Sequence, residues 1–258
     1  MDISARHEGR IAIVTGAAPG EGGIGPAIAQ RLVAEGATVL LADLDPAVAA
    51  TAGALASAGR GSTVEHFVGD LSDEATVQRL VDHAIARWGR IDVLVNNAGG
   101  GVIRPFLEHD AASLQATVGR NLWTAVWGCH KVLPHMVARR YGRIVNIGAD
   151  SVRTGLYNHA GYNAAKGGVH GLTTGLAREF AEHDITVNTV APSAVETPKL
   201  ASLRESKPEV VRKYLGVIPK GRGATLEEVA GLVSYLASAE AGFVTGQVVS
   251  INGGSAML

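Results

Sequence analysis

Ile11-Ala12-Ile13-Val14-Thr15-Gly16-Ala17-Ala18-Pro19-Gly20-Glu21-Gly22-Gly23-Ile24-Gly25-Pro26-Ala27 runs from an apolar, β-branched strand through a glycine-rich turn into a helical pattern that continues to Glu35. Glycines at such a turn let the backbone approach a pyrophosphate at the positive end of the helix. Read blandly, the same loop is only a connector. Pro26 suits the first helical turn, where no amide hydrogen is needed. The next strand ends at Asp43, eighteen residues after Gly25. A carboxylate there can hydrogen-bond an adenosine ribose and repel a 2'-phosphate, which favours NAD over NADP as cofactor.

Outward from this segment, short β-branched runs recur with helical stretches between them: Ile11 to Val14, Thr38 to Ala42, Val64 to Val68, Val93 to Val95, Ile144 to Ile147, Thr186 to Val190 and Val248 to Ile251. Runs that are apolar throughout belong to strands covered on both faces, and right-handed crossovers place helices on each side. The pattern predicts an α/β fold, a doubly wound parallel seven-stranded sheet of the Rossmann type, as one domain over 1–258. Ligands of such sheets bind outside the carboxyl ends of the strands, where Gly16, Asp43, Asp70, Asn96 and Ala149 fall. Only Glu196 to Arg222 breaks the rhythm, with three prolines among many charges, and it reads as a substrate lobe or lid.

Composition agrees. Hydrophobic residues make up 47% of 258, enough for a large core, while 33 glycines and few aromatics suit tight turns and close helix-to-strand packing. A net charge of -1 calls for neither nucleic acid nor an anionic membrane as partner. Cys129 is the only cysteine, so no intrachain disulfide forms, and no Cys or His spacing reads as a metal site. No apolar run approaches a membrane span, so the expectation is a soluble, cytoplasmic protein with a small-molecule substrate.

Tyr162-Asn163-Ala164-Ala165-Lys166 sets a phenol and an ammonium four residues apart. On a helix they share a face, so the Lys166 charge can favour the phenolate and bring Tyr162 towards neutrality as a general acid or base. Alone, the pattern also describes a half-buried tyrosine and a solvated lysine. His159, with Arg153 and Tyr157, reads as a solvated loop histidine or a substrate contact.

With these residues in hand, the chain resembles the short-chain dehydrogenase/reductase family from about Arg10 to Gly254. The family's glycine pattern fits Gly16, Gly20 and Gly22 by literal spacing. Anchored on the helix instead it fits Gly16, Gly23, Ile24 and Gly25, the preferred alignment, which puts Glu21 in a bulge facing solvent. The resemblance implies that Asp70 and Leu71 contact adenine, and that Asn97, Ala98 and Gly99 of Asn96-Asn97-Ala98-Gly99 line the cofactor cleft. It further implies that Asn121 orders a proton-relay water, that Pro192 belongs to the family's cofactor-binding Pro-Gly segment, and that Thr197 holds the nicotinamide amide. Tyr162 and Lys166 become catalytic and cofactor-binding at once. Ser193 replaces a family glycine, and a homotetramer built on the helices containing Asn121 and Tyr162 is implied, with Asn252 to Leu258 reaching towards a neighbour.

One departure is chemical. The family's catalytic serine falls at Ala149 in Gly148-Ala149-Asp150-Ser151. Ser151 is the expected replacement, with Asp150 a lesser one. The implied activity is interconversion of a secondary alcohol and a ketone, as in branches handling cyclic alcohols or 3-hydroxyacyl thioesters; the lobe cations Lys199, Arg204, Lys207, Arg212 and Lys213 read as a solvated lid or as contacts to a coenzyme A phosphate. The alternative, given the missing hydroxyl, is an NAD-binding scaffold or redox-sensing protein without turnover.

Overall fold

In a computed structural model, which describes residues 5–20, 23–58 and 63–257, the chain alternates strand and helix almost throughout. The order is β1 (Ile11–Thr15), α1 (Ile24–Ala34), β2 (Thr38–Asp43), α2 (Val48–Ala58), β3 (Val64–Val68), α3 (Glu74–Trp88) and β4 (Val93–Asn96). Then come α4 (Ala111–Val118), α5 (Thr124–Arg139), β5 (Gly142–Ile147), α6 (Ser151–Thr154), α7 (Ala160–Phe180) and β6 (Ile185–Pro192). The last elements are α8 (Pro198–Ser206), α9 (Pro208–Leu215), α10 (Leu226–Leu236) and β7 (Val248–Ile251).

The strands form one seven-stranded sheet in the order β3-β2-β1-β4-β5-β6-β7, and every pairing is parallel. This is the architecture that the alternating runs predict. Neighbouring residues of a strand face opposite sides. Val14 and Leu41 therefore pack with α1 and α10 on one face, while Ile13 and Leu40 pack with α3 and α5 on the other. Strand order reverses between β1 and β4, which opens a crevice at their carboxyl ends.

The segment 196–222 forms α8 and α9 instead of a strand-helix unit. Thr197 caps α8, its hydroxyl oxygen accepting from the Leu200 amide at 3.2 Å. Glu21, Gly22 and Leu258 lie outside the described residues.

Two histidines are held neutral by the fold. His7 is buried against α10, its Nε2 3.2 Å from the Ser234 carbonyl and 3.5 Å from Glu35, and burial pushes it down to about 4 despite that carboxylate. Burial likewise brings His170 to about 4, with Arg153 and Lys166 adding to the shift. Unfolded, both take up a proton near the ordinary value of about 6.5. Between these values the unfolded chain binds more protons, so stability is full above about pH 6.5 and falls as pH drops towards 4. Thermal melts across that range should show Tm falling by several degrees, and His7→Gln should flatten part of the fall. A Tm that stays level would contradict this.

Candidate active site

The glycine turn is locked onto the loop after β4. Thr15 accepts at Oγ1 from the amides of Asn97 (3.0 Å) and Ala98 (2.9 Å), and Asn97 Nδ2 donates to the carbonyls of Thr15 (3.0 Å) and Gly16 (2.8 Å). Gly16 has a φ of +65°, and a Cβ there would stand 2.8 Å from the Ala98 Cα. Gly25 opens α1 against it: a Cβ on Gly25 would lie 2.0 Å from the Gly16 carbonyl oxygen. Gly20, by contrast, has nothing within 4 Å of such an atom. So Gly25, just after Gly23 and Ile24, meets Gly16, and the first turn of α1 carries no acidic residue and no side-chain cap.

This cradle fits a dinucleotide: two positions admit only glycine, and the helix amides behind them are uncapped. Asp43, at the end of β2, accepts from the amides of Ala18 (2.8 Å) and Asp45 (3.0 Å), which hold its carboxylate at the rim. Asp70 is exposed at the end of β3 and bonded to Ser72, whereas the Leu71 side chain belongs to the core.

Below the crevice a buried polar chain crosses the sheet. Asn96 donates to Asn146 (2.9 Å), Asn146 to Thr173 (2.9 Å), and Thr173 meets Thr189 at 2.7 Å. These bonds join β4, β5, α7 and β6, and so fix the helix carrying Tyr162 and Lys166. Lys166 is 4% exposed and donates to the Ile147 carbonyl at 2.6 Å. Asn121 lies in a π-helical turn, Gly119–Trp123, that no sequence pattern announced. Its amide bonds the Thr117 and Gly100 carbonyls (2.8 and 2.7 Å) and its oxygen accepts from the Gly100 amide (3.1 Å). Irregular turns of this kind recur at functional sites. Gly99 sits between Asn121 and Lys166, with room for a hydrogen but not for a Cβ.

Burial, with a contribution from Tyr214, pushes the Tyr162 phenol up to about 12, and burial brings the Lys166 ammonium down to about 8. The ammonium is 5.9 Å from the ring centroid and turned to a carbonyl, so loss of water outweighs its charge. His159 meets the Tyr162 ring edge-on at 6.0 Å between centroids, its Nδ1 2.6 Å from the Tyr157 carbonyl.

In the turn after β5, Ala149 offers no hydroxyl. The Ser151 hydroxyl donates to Asn163 Oδ1 at 2.7 Å, and the Asn163 amide returns a bond to the Ser151 carbonyl at 2.9 Å. Asp150 is fully buried and accepts from Ser250 (2.7 Å), Asn252 (3.0 Å) and Ser255 (3.1 Å). It ties this turn to β7 and the tail.

Tyr162, Ser151, His159, Pro192 and Ser193 all line one cavity of about 870 Å³, the size range of small-molecule sites. Its far wall is α9, through Val210, Lys213 and Tyr214, whose hydroxyl is 3.4 Å from the Ser193 carbonyl. Thr197 caps α8, its hydroxyl oxygen accepting from the Leu200 amide, which leaves the hydroxyl hydrogen to donate. Among the described residues no group of three His, Cys, Asp or Glu could hold a metal, and no helix is long and apolar enough to cross a membrane.

A family model described as enoyl-(acyl carrier protein) reductase matches residues 16–256. A 2,3-dihydroxy-2,3-dihydro-p-cumate dehydrogenase of Pseudomonas putida is 53% identical over 97% of this chain and 96% of its own length. A 1,6-dihydroxycyclohexa-2,4-diene-1-carboxylate dehydrogenase of Acinetobacter baylyi is 35% identical over 98% of this chain and 99% of its own. The crystal structure of levodione reductase superposes with a TM-score of 0.91 at 34% identity, covering 98% of this chain and 100% of that one.

The contact between the two glycines gives a test. Gly25→Ala should cost roughly 2 kcal/mol or more in urea unfolding, because backbone must move to admit the methyl group. Gly53→Ala, exposed in α2 with nothing within 4 Å, should instead stabilise by about 0.5–1 kcal/mol. Equal effects at the two sites would contradict the interlock.

Proposed function

The chain belongs to the short-chain dehydrogenase/reductase family, an oxidoreductase interconverting alcohol and ketone, and on that premise we propose that it is an NAD-dependent dehydrogenase of cyclic vicinal dihydrodiols. The observation that carries the reading is the position of Tyr162: it lines a cavity at the carboxyl end of the sheet, one helical turn from a buried Lys166 and near the glycine cradle. The names of the two dehydrogenases above supply the ring and the diol.

When bound, nicotinamide supplies the acceptor for the carbinol hydride. Gly16, Gly23, Ile24 and Gly25 hold the pyrophosphate, Asp43 takes the ribose hydroxyls and selects NAD, and Thr197 donates towards the nicotinamide amide beside Pro192. Asp70 and Leu71 border the adenine, and Asn97, Ala98 and Gly99 form the floor of the cleft. In oxidation the phenolate of Tyr162 takes the proton of the carbinol hydroxyl as the hydride departs, and in reduction the phenol gives that proton to the carbonyl oxygen. Lys166, ionised below about pH 8, stabilises the phenolate that results. Asn121 holds the Gly100 loop against Lys166. Ser151 serves for the serine missing at Ala149 by exchanging its bond to Asn163 for one to the substrate oxygen.

The test combines purified protein, NAD or NADP, and cyclic alcohols, cyclic dihydrodiols and hydroxyacyl thioesters, followed through reduced nicotinamide. NAD with a dihydrodiol should turn over best, and Tyr162→Phe should lose about a thousandfold or more in kcat. Ser151→Ala should lose on the order of tenfold to a hundredfold in kcat. A loss confined to Tyr214→Phe would move that hydrogen bond to α9. NAD binding without turnover on any substrate would favour a binding scaffold.

A further inference from the structure

We propose that the cavity receives a substrate carrying one carboxylate, and that Lys213 holds it. This deepens the dihydrodiol reading and rests on it for the identity of the ring.

The charge pattern of the cavity is lopsided. Among the described residues that line it there is no Asp or Glu, and Lys213 is the one Lys or Arg. Much of the remaining wall is aliphatic, including Ile24, Ile103, Leu156, Val195 and Val217. An anion entering there meets no like charge, and apolar walls strengthen its pairing with an ammonium relative to open water. A cation would meet the reverse.

The direction of Lys213 is the second observation. Glu209 lies four residues earlier on α9, the spacing and order that favour an ion pair on a helix. Among the described residues no such pair forms. The ammonium instead lies 5.8 Å from the centroid of the Tyr157 ring, which follows α6 and also lines the cavity. Lys213 therefore reaches from one wall of the cavity towards the other.

Other cations of the lobe are placed differently. Arg204 pairs with Glu196 at 2.8 Å and Arg222 with Glu228 at 2.7 Å, and Lys207 and Arg212 do not line the cavity. A coenzyme A phosphate would need several converging cations, whereas a ring carboxylate needs one. The Tyr157 backbone also anchors His159, which stands edge-on to Tyr162. Tyr157 and His159 thus lead from the ammonium to the phenol, so a carboxylate held by Lys213 presents the hydroxyl end of the same ring to Tyr162.

The test uses the 2,3-dihydrodiol of a para-alkylbenzoate and its methyl ester, with NAD, on the wild type, Lys213→Met and Lys213→Arg. The ratio of kcat/KM for acid over ester should fall about 10- to 100-fold in Lys213→Met, through KM, and be largely kept in Lys213→Arg. In the wild type the ratio should also fall with added salt. An unchanged ratio overturns the proposal, as does better use of a hydroxyacyl-coenzyme A than of the acid with the same dependence on Lys213. If neither diol turns over, the dehydrogenase reading fails by itself. Calorimetric titration of the NAD complex with the para-alkylbenzoate then still reads the anion site: weaker binding in Lys213→Met supports it, and equal or absent binding overturns it.

Discussion

A buried ammonium fixes the working parts of this protein. Lys166, 4% exposed and bonded to the Ile147 carbonyl at 2.6 Å, binds α7 to the carboxyl end of β5, where the chain turns towards Ala149 and Ser151. Tyr162 sits one helical turn earlier, so the same bond sets the height of its phenol above the sheet. Burying the ammonium is unfavourable, as its shift to about 8 records, and the surrounding structure must hold it there. The chain from Asn96 through Asn146 and Thr173 to Thr189 does so, pinning α7 to three strands with side-chain bonds that have no water to compete with.

The glycine turn is built by steric exclusion. Thr15 and Asn97 draw the first turn and the loop after β4 together until only glycine fits at positions 16 and 25. Beside the cavity the turn after β5 is clamped from below, where Asp150 gathers Ser250, Asn252 and Ser255. The absence of a hydroxyl at Ala149 therefore leaves an ordered turn in which Asp150 and Ser151 are both already bonded. Between these fixed parts, α9 provides the wall whose side chains differ most in chemistry from the rest of the cavity.

Sheet and helices were legible in the sequence because each strand had to be apolar on two faces, which leaves short β-branched runs separated by helical lengths. The glycine turn was legible for a related reason, since close backbone approach excludes every other residue at Gly16 and Gly25. Spacing also placed Tyr162 and Lys166 on one face, but it could not show their burial, which pushes the phenol up to about 12. Ser151 is bonded to Asn163 twelve residues on, and Asp150 to side chains about a hundred residues on, partners that exist only once the chain has folded. The π-helical turn at Asn121 left no trace in the residue pattern, although Gly119 within it offered a weak sign of irregular backbone.

Hydride transfer from a ring carbinol is the proposed activity, and isotopic labelling reads it without inference from rates. A cyclic dihydrodiol bearing deuterium at its carbinol carbons would be incubated with the protein and NAD, and the reduced cofactor isolated for mass and NMR analysis. One deuterium at a single face of nicotinamide C4, with a slower turnover than the unlabelled diol, is the predicted result. Reduced cofactor without deuterium, or none formed although NAD binds, would contradict the account.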